Sequence, residues 1–183
     1  MVRRTFVQAP FSRLPTVWGA TPDEVDRRYP CDEGMHGDRL VRAVSVGAEP
    51  GTVFAWLGNL RAAPYSYDWF DNFGRRSPRR LLTHLGDLAP GQRVMTIFEV
   101  DSVEPGRSVT ISMTSRPGRA LFGAVRVTYA VTPADRGCRL VAVLRFASSG
   151  TRLDATRRWV MAWGDLLMMR KQLLTLRDLS EGS

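Results

Sequence analysis

The chain reads as an α+β domain: an antiparallel sheet followed by one long C-terminal helix. Three observations predict it. A valine-rich stretch over residues 40–46 runs into an amphipathic helical stretch over 50–60. Four strand-like stretches between residues 94 and 146 fall into two hairpins with short polar turns. The last quarter of the chain carries a helical pattern over 154–179.

Each element has a local reason. Thr21 is placed as an N-cap, Pro22 at the first helical position and Glu24 to complete a capping box, so a short helix starts there. Pro30 stops it. Residues 1–38 form an N-terminal arm and 39–183 the main domain. Gly47 ends the first strand. Val53, Trp56, Leu57 and Leu60 then recur at the spacing of one helix face.

Strands over 94–101 and 108–115 flank Glu104-Pro105-Gly106-Arg107, and strands over 124–132 and 138–146 flank Pro133-Ala134-Asp135-Arg136-Gly137. Both connections carry turn chemistry and are too short for a parallel crossover. Arg126-Val127-Thr128-Tyr129-Ala130-Val131 alternates, which predicts one wet sheet face. The final helix is about 39 Å long, enough to cross a sheet. Steps of 100° place Trp159, Trp163, Leu166, Leu173 and Leu174 on one stripe, with Arg170 in its middle and Asp165 opposite, near Arg158 and Gln172. Gly164 costs the helix about 1 kcal/mol relative to Ala and leaves room for a close approach or a ligand.

Composition bounds the function. At 183 residues and 44% apolar content the chain suits one globular domain. Cys31 and Cys138 lie far apart and match no metal spacing, so reduced thiols in a cytoplasm are expected. His36 and His84 are too few for a histidine-rich metal site, and neither a metal nor a cofactor is expected. No apolar run reaches the roughly 20 residues of a membrane span. No apolar segment follows Arg3 and Arg4 as a secretory signal would require. The net charge of +8 is almost all arginine. Arg75, Arg76, Arg79 and Arg80 form its densest cluster, but no nucleic-acid motif accompanies them, so a solvated loop is expected.

The residues that carry chemistry concentrate in Ala63-Pro64-Tyr65-Ser66-Tyr67-Asp68-Trp69-Phe70-Asp71-Asn72. Such a run suits either a packed corner or the mouth of a small-molecule site. Arg170, on an apolar stripe, calls for an anion, with Asp68 or Asp71 the attractive partner; the alternative is an edge position with an outward guanidinium. Candidate acid–base groups are Asp68, Asp71, Tyr65, Tyr67 and His84, with no spacing that pairs them.

The order strand, helix, meander, long helix resembles the START-like superfamily, also called SRPBCC or polyketide cyclase/dehydrase-like. Arg42-Ala43-Val44-Ser45-Val46-Gly47-Ala48-Glu49-Pro50 is similar to its first strand entering its first helix, and Val53-Phe54-Ala55-Trp56-Leu57 to that helix's buried face. Tyr65-Ser66-Tyr67-Asp68-Trp69 with Asn72 resembles the signature of an uncharacterised bacterial branch. Trp163-Gly164-Asp165-Leu166 and Met168-Met169-Arg170-Lys171-Gln172-Leu173-Leu174 resemble its closing helix, and Trp18-Gly19-Ala20-Thr21 with Tyr29-Pro30-Cys31-Asp32 its arm. The likeness covers about residues 18–180.

It implies a helix-grip fold, a curved antiparallel sheet wrapped around the C-terminal helix with an apolar cavity between them. The implied function is binding of a hydrophobic small molecule, lipid-, polyketide- or aromatic-like. The alternative is a cyclase or dehydratase using aspartate and tyrosine. The residues expected at the ligand are Tyr65, Tyr67, Asp68, Trp69, Asp71, Met95, Ile97, Tyr129, Trp163 and Arg170, with Ile111, Met113, Val127 and Leu166 also lining the cavity.

Overall fold

Five consecutive residues, Leu40 to Val44, are buried in strand β2 (Gly37–Val46), so both faces of this strand are covered. The computed structural model describes residues 14–66, 77–147 and 152–183, with the side chains of Leu121 and of 152–158 excepted. Leu40, Val44 and Val46 point into the main core; Val41 and Ala43 point into a second cluster on the other side. That alternation is the strand period of two at work.

The other strands are β1 (Val17–Trp18), β3 (Arg93–Val94), β4 (Phe98–Glu104), β5 (Ser108–Met113), β6 (Val125–Pro133) and β7 (Cys138–Ala147). They form one seven-stranded sheet in the order β1-β2-β7-β6-β5-β4-β3. The pairing is antiparallel except for β1 beside β2. The sheet is curved and unclosed. Helix α2 (Pro50–Gly58) leads into a 3-10 turn, Asn59–Arg61. The C-terminal helix, called α4 here (Arg152–Glu181), has 30 residues and buries Met169, Leu173 and Leu176 in the core against the inner sheet face. Among the described residues no helix is long and apolar enough to cross a membrane.

The expected capping box is present in α1 (Pro22–Asp26): Thr21 Oγ1 accepts from the Glu24 N–H at 3.3 Å, and Glu24 Oε2 from the Thr21 N–H at 2.8 Å. The arm then does something unexpected. Tyr29, Cys31, Ala20 and Val25 pack over Val41, Ala43, Ala130, Val141 and Val143, so this half of the outer sheet face is dry rather than wet. Ion pairs hold it down. Arg139 grips both oxygens of Glu24 at 2.8 Å, and Arg39 and Arg145 share Asp32 Oδ1 at 3.0 and 2.6 Å.

Three local features depart from expectation. The strand predicted over 94–101 is broken at Met95 and Thr96, both with positive φ, 48° and 66°. Strand β1 is too short to show alternation. Helix α3 (Arg116–Phe122) is too short for a helical period; its Ser115 cap, whose Oγ accepts from the Gly118 N–H, is the local signal.

Candidate functional site between the sheet and the C-terminal helix

The buried face of α4 is rotated about 70° from the predicted stripe and shares Leu166 and Leu173 with it. Ala162, Met169, Leu173 and Leu176 join the core on the inner sheet face, and Leu166 and the polar Gln172 are buried on the same helix. Trp159 and Trp163 lie on the flank, 60% and 36% exposed, in edge contact with each other at 6.1 Å between ring centres. Aromatic bulk pulled the predicted stripe towards the tryptophans, whereas small and flexible side chains, Ala162 and Met169, permit the close approach.

Strand pairing sets a row on the inner face: Trp18, Arg42, Ala142, Tyr129 and Val109 stand side by side across β1, β2, β7, β6 and β5. Arg42 and Tyr129 are two strands apart, about 10 Å. Their partners on α4, Asp165 and Gln172, are seven residues apart, about 10.5 Å along a helix. The match seats one polar pair on either side of Ala142. Arg42 NH2 donates to Asp165 Oδ2 at 3.0 Å, and the Tyr129 hydroxyl donates to Gln172 Oε1 at 2.7 Å. Met169 stands between Asp165 and Gln172 on the helix, its sulfur 4.0 Å from the Tyr129 oxygen.

Gln172 is also a crosslink. Its amide nitrogen donates to the Pro64 carbonyl at 2.5 Å and lies 3.4 Å from the Met95 sulfur. Tyr65, beside Pro64, has φ 57° and is buried; its ring meets Trp56 edge-on and its hydroxyl accepts from Asn59 Nδ2 at 3.0 Å. Tyr65, Met95 and Thr96 are the described non-glycine residues with positive φ, and all three lie around this crosslink. Positive φ at such residues stores strain, which surrounding structure must hold in place.

The electrostatics follow from burial. Burial pushes the Asp165 carboxyl up to about 6, although Arg42 pulls it back. Burial likewise raises Tyr129 well above the usual phenol range, so it stays a neutral donor. It lowers Arg42, which Asp165 opposes.

Of the residues expected at the ligand, Tyr65, Met95 and Tyr129 come together here. Ile97 packs partly buried against the same core, Ile111, Met113 and Val127 are buried in it, and Leu166 is buried on α4. Trp163 is on the outer flank instead. Arg170 is exposed, its guanidinium 5.6 Å from the centre of the Trp18 ring, so it is not the buried arginine. Tyr67, Asp68, Trp69 and Asp71, and hence the expected pairing of Arg170 with an aspartate, lie outside the described residues. His84 is exposed, as are Arg79 and Arg80; Arg75 and Arg76 lie outside the described residues.

Sequence reasoning missed Arg42 and Asp165. The signal was Arg42 in phase with Leu40, Val44 and Val46 on one strand, a charge on the face that alternation sends inward. A recess of about 260 Å³ lies elsewhere, between α2 and residues 81–88. Arg61 is among its lining residues and donates to the carbonyls of Leu85, Gly86 and Asp87. Among the described residues no metal-binding group of His, Cys, Asp or Glu gathers.

No family model and no curated protein matches the chain. Solved structures do. Ara h 8.0201 is 12% identical with a TM-score of 0.52, the match covering 82% of this chain and 100% of that one. The KanY protein is 15% identical with a TM-score of 0.52, over 81% of this chain and 100% of that one. A polyketide-cyclase-like protein of Corynebacterium glutamicum is 16% identical with a TM-score of 0.47, over 78% and 91%. The fold is the helix-grip. At these identities the first two matches establish that and nothing finer.

Proposed function

We propose that the chain binds a hydrophobic small molecule between the inner sheet face and α4, in the cytoplasm. The observation that carries this is the convergence of strain and buried polarity at one place in an apolar layer. Positive-φ residues at Tyr65, Met95 and Thr96 surround Gln172, whose amide ties the loop carbonyl of Pro64 to α4. Strain of this kind gathers at ligand clamps. Ile111, Val127 and Leu144 supply the apolar wall and Tyr129 a neutral hydrogen-bonding group. A neutral phenol suits orientation of a ligand better than proton abstraction, which favours binding over the cyclase reading. Cys31 and Cys138 are buried and unpaired, as befits a reducing compartment.

Titration with the neutral fluorophore 1-aminoanthracene tests the reading. We expect saturable one-to-one binding with a micromolar Kd. Val127→Phe, which narrows the interior, should weaken it at least tenfold while the circular dichroism spectrum holds. No saturable binding up to the probe's solubility, or binding indifferent to Val127→Phe in a folded variant, overturns it.

A further inference from the structure

The helix that lies across the sheet is apolar on both sides. Between Trp159 and Met168 every exposed side chain of α4 is apolar: Trp159, Val160, Trp163, Leu167 and Met168. They are all but one of the large apolar side chains exposed among the described residues. Steps of 100° spread them over half of the helix circumference, opposite the arc that Ala162, Met169 and Leu173 bury. Gly164 lies within that outer arc, and apart from the helix itself no described atom stands within 4 Å of where its Cβ would be. A helix apolar all round is normally covered on every side. From their exposed fractions the five side chains present a patch on the order of 500 Å², and a contiguous patch of that size marks a surface for association.

Charge selects what covers it. Between Trp159 and Lys171 the sequence has one acid, Asp165, and it turns inward to Arg42. The cations at the end of the arc, Arg170 and Lys171, are exposed. The whole chain carries a net charge of +8. A second copy would bring the same cations and no exposed carboxylate to this face. The patch also falls short of the roughly 800 Å² that each partner of a stable dimer contributes. A nucleic acid would pair with the cations and leave Val160, Leu167 and Met168 without an apolar partner. An anionic bilayer matches both parts. Indole rings settle at the headgroup level, aliphatic side chains enter the acyl boundary, and Arg170 and Lys171 meet lipid phosphates. We propose that α4 docks flat on an anionic lipid surface through this outer face, while its inner face stays on the sheet. The proposal stands on the outer arc alone and is independent of the ligand reading.

Co-sedimentation of the full chain with sucrose-loaded vesicles tests it. We expect partition onto phosphatidylcholine vesicles that contain about 30% phosphatidylserine, and at least tenfold weaker partition onto phosphatidylcholine alone. Salt at about 0.5 M should weaken the first towards the second. Trp159→Ser/Trp163→Ser should lower partition at least tenfold, and Arg170→Ser/Lys171→Ser about tenfold. Both should keep the wild-type circular dichroism spectrum, because these side chains are exposed. Val160→Ser/Leu167→Ser serves if the tryptophan variant does not fold. No partition at millimolar lipid overturns the proposal, as does partition that ignores the loss of the apolar side chains in a folded variant. Equal partition onto the two vesicles overturns the anionic class. A wild type that sediments as a dimer, becomes a monomer in the tryptophan variant and leaves vesicles unbound gives the face to a second copy, and the proposal falls.

Discussion

Arg42 and Asp165 are worth more as a pair than either is alone. Breaking a buried ion pair leaves a charge that neither water nor a partner satisfies, at a cost of about 3–5 kcal/mol. Removing both charges can be neutral. Arg42→Met and Asp165→Leu should therefore each lower the urea midpoint strongly, while the double variant recovers most of the loss. Additive losses would mean that the two groups do not share an environment. Arg170 is the contrast. It is exposed over the half-buried Trp18 ring, and a cation–π contact at an exposed site is worth about 0.5–1 kcal/mol. Arg170→Met should shift the midpoint by no more than that, and a loss of several kcal/mol would show that the guanidinium has a buried anionic partner. The sequence pointed to Arg170 because Trp159 and Trp163 surround it on a helical wheel. What a wheel cannot show is which arc the sheet covers, since that depends on how closely Ala162 and Met169 let α4 approach.

Among the elements, the arm shows what was legible and what was not. The box of Thr21 and Glu24 lies within four residues, and local chemistry decides it. The docking of that box onto the outer sheet face depends on Arg139, 115 residues from Glu24, and no local pattern announces such a pairing. The same division runs through the site: the hairpins were readable from their turns, whereas the row of Arg42, Ala142 and Tyr129 exists only once strand register is fixed. Gly19 lies tight against β2. It has φ 71°, and a Cβ there would sit 2.1 Å from the Ala43 carbonyl oxygen. Gly19→Ala should therefore lift the arm. Cys31 lies fully buried beneath it, its N–H donating to Thr128 Oγ1 at 3.0 Å, and burial raises its thiol above the usual range. A thiol reagent should label Cys31 at least tenfold faster in Gly19→Ala than in the wild type, with Cys138 in the main core as the internal reference. Equal labelling rates would show that the arm tolerates the displacement.

For the whole molecule, carboxylates on the two sheet faces pull stability in opposite directions with pH. On the outer face burial would raise Glu24 and Asp32, but the hydrogen bonds of Arg139 and Thr21 to one, and of Tyr29, Arg39 and Arg145 to the other, lower both below their ordinary values. Groups lowered on folding contribute stability that is present above their unfolded pKa and lost as pH falls. Their loss belongs below about pH 4.5, where the arm's ion pairs go. Asp165 on the inner face has the reverse sign. Its folded value is raised from 3.8 to about 6, so its contribution is complete below 3.8 and lost as pH rises through 6. The shift corresponds to on the order of 2–3 kcal/mol. Together the two faces predict a urea midpoint that is highest near pH 4–5, falls in acid and falls again towards pH 7. The double variant Arg42→Met/Asp165→Leu has no inner carboxyl and should lose only the upper decline, holding a level midpoint from pH 5 to 7 while its acid limb stays that of the wild type. A wild-type midpoint already level from pH 4.5 to 7 would mean that Arg42 compensates the burial of Asp165 in full.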